Sequence, residues 1–317
     1  MASRRSTEPA ERSLLPTSTE LAENYSLFGS GAPHRIDQSN GAASCSCDRC
    51  ERWSTYIKTG GSGKHQPLYL VPTSDLIARL ATWLINTLGS SDDATILEIG
   101  AGDGALAMHL KNALNNKKAS NNIRVIASDS GARGLSPVAP VEQLDVAAAL
   151  AAHNPRIVLC AFMPLGVDFT AAIRQCESVE AYLLLGEIDN GCCGRPWLTW
   201  GYLCDGDDDA GALSVSSTSG ESSSEDGDDD DAAAAERTTR PSKSRRLHAD
   251  PDAWRKVYIH EPQRTPFGAD GWVRKELKEL SDCCICRTDS CWDSTRHAKA
   301  VLFSRSRREE GWPHLKI

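Results

Sequence analysis

Residues 96–110 read ILEIGAGDGALAMHL, an apolar run that ends in an acid, Glu98, and is followed by glycines at 100, 102 and 104. Glycine lacks a Cβ, so a turn built from it can take positive φ and let a ligand touch the backbone. A helix starting just after such a turn offers unpaired N–H groups and the positive end of its dipole, which suit phosphates and carboxylates. The stretch also satisfies a loose G-x-G-x-x-[G/A] through Gly100, Gly102 and Ala105, so a dinucleotide site has to be weighed. Two features oppose it. The third glycine comes one place early, and Glu98 stands at the strand end, awkward beside a pyrophosphate but well placed to meet a cation, directly or through water.

Outward from this loop, strands and helices alternate. TILEI (95–99), IRVIASD (123–129), PVEQLD (140–145), RIVLCAF (156–162) and EAYLLLGE (180–187) read as strands. GALAMHLKNALNN (104–116), DVAAALAAHN (145–154) and TAAIRQCESV (170–179) read as the helices between them. A further helix is expected at 74–88, with Thr73 or Ser74 as cap and Gly89 as stop. Strands apolar on both faces and separated by helices imply a parallel sheet covered on each side, and right-handed crossovers make it doubly wound. GWVRKELKEL (271–280) reads as a helix, with DCCICRTD (282–289) and KAVLFSRSR (299–307) as a closing strand pair.

With these elements placed, LEIGAGDG resembles motif I of the class I, Rossmann-like S-adenosylmethionine-dependent methyltransferases. The resemblance implies an α/β, mostly parallel seven-stranded sheet whose last strand is antiparallel. It implies S-adenosyl-L-methionine as cofactor, with Gly100, Gly102 and Gly104 wrapping its methionine end and Glu98 helping to hold its ammonium group. It carries over to Asp129, at the end of the second strand, as the ligand of the ribose hydroxyls, and to Asp145 as the residue near the adenine amino group. The residues alone leave Asp129 open as a turn residue and Asp145 open as a helix cap.

Segment CAFMPLGVDFT (160–170) corresponds to motif IV of that family, which lines the methyl-transfer site. Family members acting on amide or exocyclic amines often carry [N/D]PP[Y/F] there. This chain has Met163-Pro164-Leu165-Gly166, which counts against adenine or glutamine N-methylation. Asp168 is the candidate base or substrate contact, with helix capping as its other reading. Glu187 and Asp189 are further carboxylates at strand ends. Trp197 and Trp200 either wall a pocket or pack a long loop, and Arg195 either holds an anionic acceptor or is a surface residue. Methyl transfer from a sulfonium asks mainly for alignment, so a strong catalytic signature is not expected. The expected function is methyl transfer to a small molecule or a protein side chain. The alternatives are a catalytically silent binding module of the same fold and an NAD(P)-linked oxidoreductase.

Composition bounds the rest. Residues 205–247 have no apolar periodicity and hold eleven acids before residue 232, without which the net charge of −8 becomes +3. They are expected to form a solvated acidic insertion. Residues 1–66 are expected to be mostly disordered around a cysteine cluster at 45–50. The methyltransferase-like core is then 67–204, resumed by the helix and strand pair of 248–317. Twelve cysteines without a signal-like segment read as reduced thiols. Cys47 and Cys50 have zinc-ligand spacing with Cys45 beside them. A fourth ligand would have to come from His34, His65 or the group Cys283, Cys284, Cys286 and Cys291, and no metal is assigned to the functional site. No apolar run has the roughly 20 residues a membrane helix needs. RPSKSRR (240–246) reads as a solvated basic linker, and no aromatic-interleaved basic stripe supports nucleic-acid binding. A cytoplasmic or nuclear location is expected, with no membrane partner.

Overall fold

A computed structural model describes residues 15–29, 45–60, 67–89, 94–117, 123–188, 193–202 and 264–306. The acidic insertion, the basic run at 240–246, His34, His65 and Asp189 lie outside the described residues.

The elements in chain order are α1 (Ser18–Tyr25), α2 (Asp48–Thr59), α3 (Ser74–Leu88), β1 (Ala94–Ile99), α4 (Ala105–Asn116), β2 (Ile123–Asp129), β3 (Glu142–Gln143), α5 (Val146–His153), β4 (Ile157–Ala161), α6 (Thr170–Gln175), β5 (Ala181–Glu187), β6 (Trp272–Glu276) and β7 (Ala298–Arg305). The strands form one sheet in the order β3-β2-β1-β4-β5-β7-β6. β1 through β5 pair in parallel, and β7 runs antiparallel to both of its neighbours. The order reverses between β1 and β4, where an open α/β sheet leaves a crevice at its carboxyl edge.

Period-two alternation divides the core between the two faces of the sheet. Ile96, Ile157, Leu159, Leu183 and Leu185 face α3 and α4, packing on Leu80, Leu84, Leu106 and Leu110. Leu97, Val158, Cys160, Tyr182 and Leu184 face α5 and α6, packing on Leu150, Ile173, Trp200 and Phe303. Helices on both faces explain why β4 is apolar throughout and β5 is buried throughout and apolar up to its closing Gly186-Glu187. Thr73 caps α3 by accepting from the Leu76 amide, as expected for one of the two candidate caps.

Two expectations are corrected. Residues 271–280 are not one helix: Trp272–Glu276 is the edge strand β6, and Lys278–Ser281 is a single helical turn. Pairing with β7 overrides the helix propensity of VRKEL, burying Trp272 and leaving Val273 exposed. Residues 282–289 are not a strand; they turn beneath α3, and one bridge, Leu70 to Cys286, is their only β pairing among the described residues. Their thiols are buried because the loop packs into the core, not because it pairs. Among the described residues of 1–66 there are two helices, α1 and α2. Thr17 and Glu20 form a reciprocal capping box at α1, and Leu21 and Leu27 pack with Trp53 and Ile57 of α2 in a satellite core.

Candidate functional site

Strand register builds the site. Ile99 of β1 lies beside Ser128 of β2, so the glycine turn leaves the sheet next to Asp129. Gly100, Gly102 and Gly104 have φ of +67°, +58° and +79°, all in the left-handed region. A Cβ on Gly104 would stand 2.6 Å from Val141 Cγ2, one on Gly102 3.2 Å from Leu135 Cδ1, and one on Gly100 3.3 Å from Phe169 Cε2. The 130–141 segment thus covers one side of the turn, held by Val138 N donating to the Asp103 carbonyl at 2.9 Å.

Three carboxylates surround this turn. Asp129 Oδ2 accepts from Gly102 N at 3.0 Å and its Oδ1 from Gly131 N at 2.7 Å. Asp103 Oδ1 accepts from Ala105 N at 3.0 Å. Glu98 shares the sheet face of Ile96, which points it at α4, and its Oε2 accepts from Ala107 N at 2.9 Å. Glu98 is 2% exposed. Burial pushes its carboxyl up to about 8; the Ala107 bond opposes this, and the charges of Asp103 and Asp129 add to it. Two of the amides in the first turn of α4 are therefore already paired with acids of the chain itself.

Glu98, the three glycines and Asp129 thus come together at one edge. Glu98 lies beneath the turn, bonded to the helix, rather than projecting from it. Asp145 is the N-cap of α5, accepting from Ala148 N at 2.8 Å, which is the capping reading left open by its sequence. Asp168 Oδ1 accepts from Thr170 N at 3.1 Å, Thr170 Oγ1 at 2.6 Å and Thr199 Oγ1 at 3.0 Å. It ties α6 to a π-helical turn, Pro196–Trp200, in the loop after β5. Trp200 is buried and donates to the Cys193 carbonyl at 2.8 Å, so it packs this loop and walls no opening; Trp197 is nearly as buried. Arg195 Nε donates to the Gly166 carbonyl at 3.0 Å. Glu187 is buried and accepts from Thr288 Oγ1.

Sequence reasoning missed several groups at this edge. Phe162, at the end of β4, has φ +53°, an uncommon conformation for a bulky residue and one that clusters at functional sites. Its ring lies 6.1 Å from that of Tyr69. Arg133 donates to Tyr69 Oη at 3.2 Å, and Arg287 stacks over the same ring at 4.8 Å. No periodicity signals a positive φ in an aromatic residue. Asp103 was in plain view inside the glycine motif.

The seven-stranded sheet with its antiparallel β7 and the glycine turn after β1 make this the class I, Rossmann-like methyltransferase fold. No family model and no curated protein matches the chain. Among solved structures it is similar to the selenomethionine-substituted CurJ carbon methyltransferase, at 12% identity and a TM-score of 0.36 over 73% of this chain and 54% of that one. The citrinin polyketide synthase CMeT domain gives 13% and 0.36 over 83% and 58%. A SAM-dependent O-methyltransferase from Thermotoga maritima gives 12% and 0.26 over 43% and 62%. The chain spans little more than half the length of the first of these.

Proposed function

We propose that the chain binds S-adenosyl-L-methionine in the glycine turn and transfers its methyl group to a small molecule or a protein side chain. The observation that carries this reading is the ring of Glu98, Asp103 and Asp129 around the turn. A pyrophosphate would meet the carboxylates of Asp103 and Asp129 and find the Ala105 and Ala107 amides already paired. A ligand bearing a sulfonium and an ammonium meets the charge that suits it. The donor set therefore fits S-adenosylmethionine and disfavours the NAD(P) alternative.

The cofactor supplies an electrophilic methyl carbon. The chain's own residues hold and orient. Asp129 keeps further lone pairs on both oxygens for the ribose hydroxyls. Glu98 and Asp103 fix the first turn of α4; Asp103 contributes negative potential beneath the cationic end of the ligand, and Glu98 joins it once that cation draws off its proton. Tyr69, Phe162, Arg133 and Arg287 form the acceptor side, next to the strained end of β4. Asp168 acts by fixing the 162–170 segment, since its Oδ1 already accepts three hydrogen bonds. That engagement favours one further reading, a silent binding module that keeps the cofactor site without turnover.

Calorimetric titration with S-adenosylmethionine, S-adenosylhomocysteine and NADH tests the binding claim. Micromolar binding of the first two and none of NADH is expected; binding of NADH alone would overturn it. Transfer of tritium from methyl-labelled cofactor to any acceptor separates the enzyme from the silent module.

A further inference from the structure

The satellite core at the N-terminus gathers thiols from opposite ends of the chain. Cys45, Cys47 and Cys50 place their sulfur atoms within 4.8 Å of one another, and Cys47 Sγ to Cys50 Sγ is 3.5 Å. Cys291, in the loop that follows the 282–289 turns, packs into the same cluster and hydrogen-bonds Cys50. Three backbone or indole bonds hold that loop against the helices: Phe28 N to the Ser290 carbonyl at 2.9 Å, Gly29 N to the Cys291 carbonyl at 3.0 Å and Trp53 Nε1 to the Asp289 carbonyl at 2.6 Å.

We propose that Cys45, Cys47, Cys50 and Cys291 bind one structural zinc ion that staples the N-terminal helices to the C-terminal loop. Four thiolates around one zinc at about 2.3 Å stand about 3.8 Å apart at the edges of a tetrahedron; Cys45, Cys47 and Cys50 already lie near that spacing, and Cys291, packed in the same cluster, would close in as the fourth ligand. An iron–sulfur cluster, the other common tetrathiolate occupant, interposes inorganic sulfides and needs its cysteines further apart. Cys47 is the N-cap of α2 and Cys50 lies in its first turn, so one helix start presents both sulfur atoms. The Cys291 thiol donates to the Tyr25 carbonyl at 3.2 Å, and zinc would displace that proton along with those of the other three thiols. The cluster it would anchor is small, of the size at which metals commonly supplement an apolar core.

A second consequence reaches the functional site. Cys286 and Thr288, just before Cys291, hold Glu187 at the end of β5. The staple therefore fixes the loop that backs the carboxyl edge of the sheet.

The test is elemental analysis of the full chain purified without chelator, followed by cobalt substitution. About one zinc per chain is expected, with sulfur-to-cobalt charge-transfer bands and the intense d–d bands of a tetrahedral tetrathiolate. Cys291→Ser should convert that spectrum to a three-thiolate one and weaken zinc at least tenfold in chelator competition. Cys284→Ser, a buried thiol outside the cluster, should leave both unchanged. Absence of stoichiometric zinc after supplementation, a Cys47–Cys50 disulfide in the isolated protein, or an unaltered cobalt spectrum in Cys291→Ser would each overturn the proposal. These readouts do not involve S-adenosylmethionine, so their failure is separate from failure of the cofactor reading.

Discussion

The amide of Gly102 donates to Oδ2 of Asp129 at 3.0 Å, joining the turn after β1 to the end of β2. One carboxylate thus shapes the glycine turn and, in the proposed complex, carries the ribose. Asp129→Ala is predicted to weaken S-adenosylmethionine binding by about 1–3 kcal/mol, roughly 5- to 150-fold. Asp129→Asn keeps one acceptor but turns a donor toward the other amide, so it should recover only part of the loss. Calorimetry on folded variants reads both; unchanged affinity in Asp129→Ala would remove this residue from the site.

Gly104 combines φ +79° with a Cβ position 2.6 Å from Val141 Cγ2. Gly104→Ala should therefore cost about 1–3 kcal/mol of stability, from left-handed strain and the clash together. Urea unfolding measures it.

The buried Glu98 carboxyl predicts a pH dependence of stability. Its value rises from 4.5 to about 8 on folding. Between those values the folded state holds a proton that the unfolded state has released, so stability falls as pH rises and levels off above about pH 8. Glu98→Gln keeps an oxygen for the Ala107 amide and removes this titration. Its stability relative to the natural chain should grow by about 1.4 kcal/mol per pH unit across that window. Parallel pH profiles for the two proteins would show Glu98 to be an ordinary surface-like acid.

The same group predicts proton release on ligand binding. A cation arriving over the turn lowers the Glu98 pKa, so at pH 7 the complex should release a proton that the ligand-free protein holds. The binding enthalpy should then vary with the ionisation enthalpy of the buffer, and Glu98→Gln should abolish that variation. A buffer-independent enthalpy in the natural protein would contradict the placement of the cationic end near Glu98.

Arg174 is the polar anchor behind the site. Its Nε donates to Asp270 Oδ2 at 2.6 Å and its guanidinium to Thr170 Oγ1 at 2.6 Å, with the side chain 4% exposed. Arg174→Ala should cost about 2–4 kcal/mol, less than for a fully buried pair because Asp270 is half exposed. Thermal unfolding checks it, and a loss below about 1 kcal/mol would mean the network contributes little.

Strands β1, β4 and β5 were legible because they are short, largely apolar on both faces and divided by helices with clear stops. β2 at 123–129 and α3 at 74–88 fall where their sequences put them. The antiparallel edge was not legible. WVRKE has helix-forming residues and one buried side chain, at its first position, so only its pairing with β7 makes it a strand. The four cysteines of 283–291 carry burial without periodicity: Cys283, Cys284 and Cys286 pack into the main core against α3 and the sheet, and Cys291 packs on the N-terminal helices. The capping box at Thr17 and Glu20 was readable, but the polar residues around it masked the signal. At the site, motif spacing pointed to the turn and to Asp129. The burial of Glu98, the structural engagement of Asp168 and the strained Phe162 arise only from tertiary packing.

The most direct measurement is a crystal structure of the chain soaked with S-adenosylhomocysteine. The account predicts the ribose on Asp129, the amino-acid end in the turn of Gly100, Gly102 and Gly104, and the sulfur facing Phe162. Density for the ligand away from the carboxyl ends of β1 and β2, or an empty turn at saturating ligand, would contradict it.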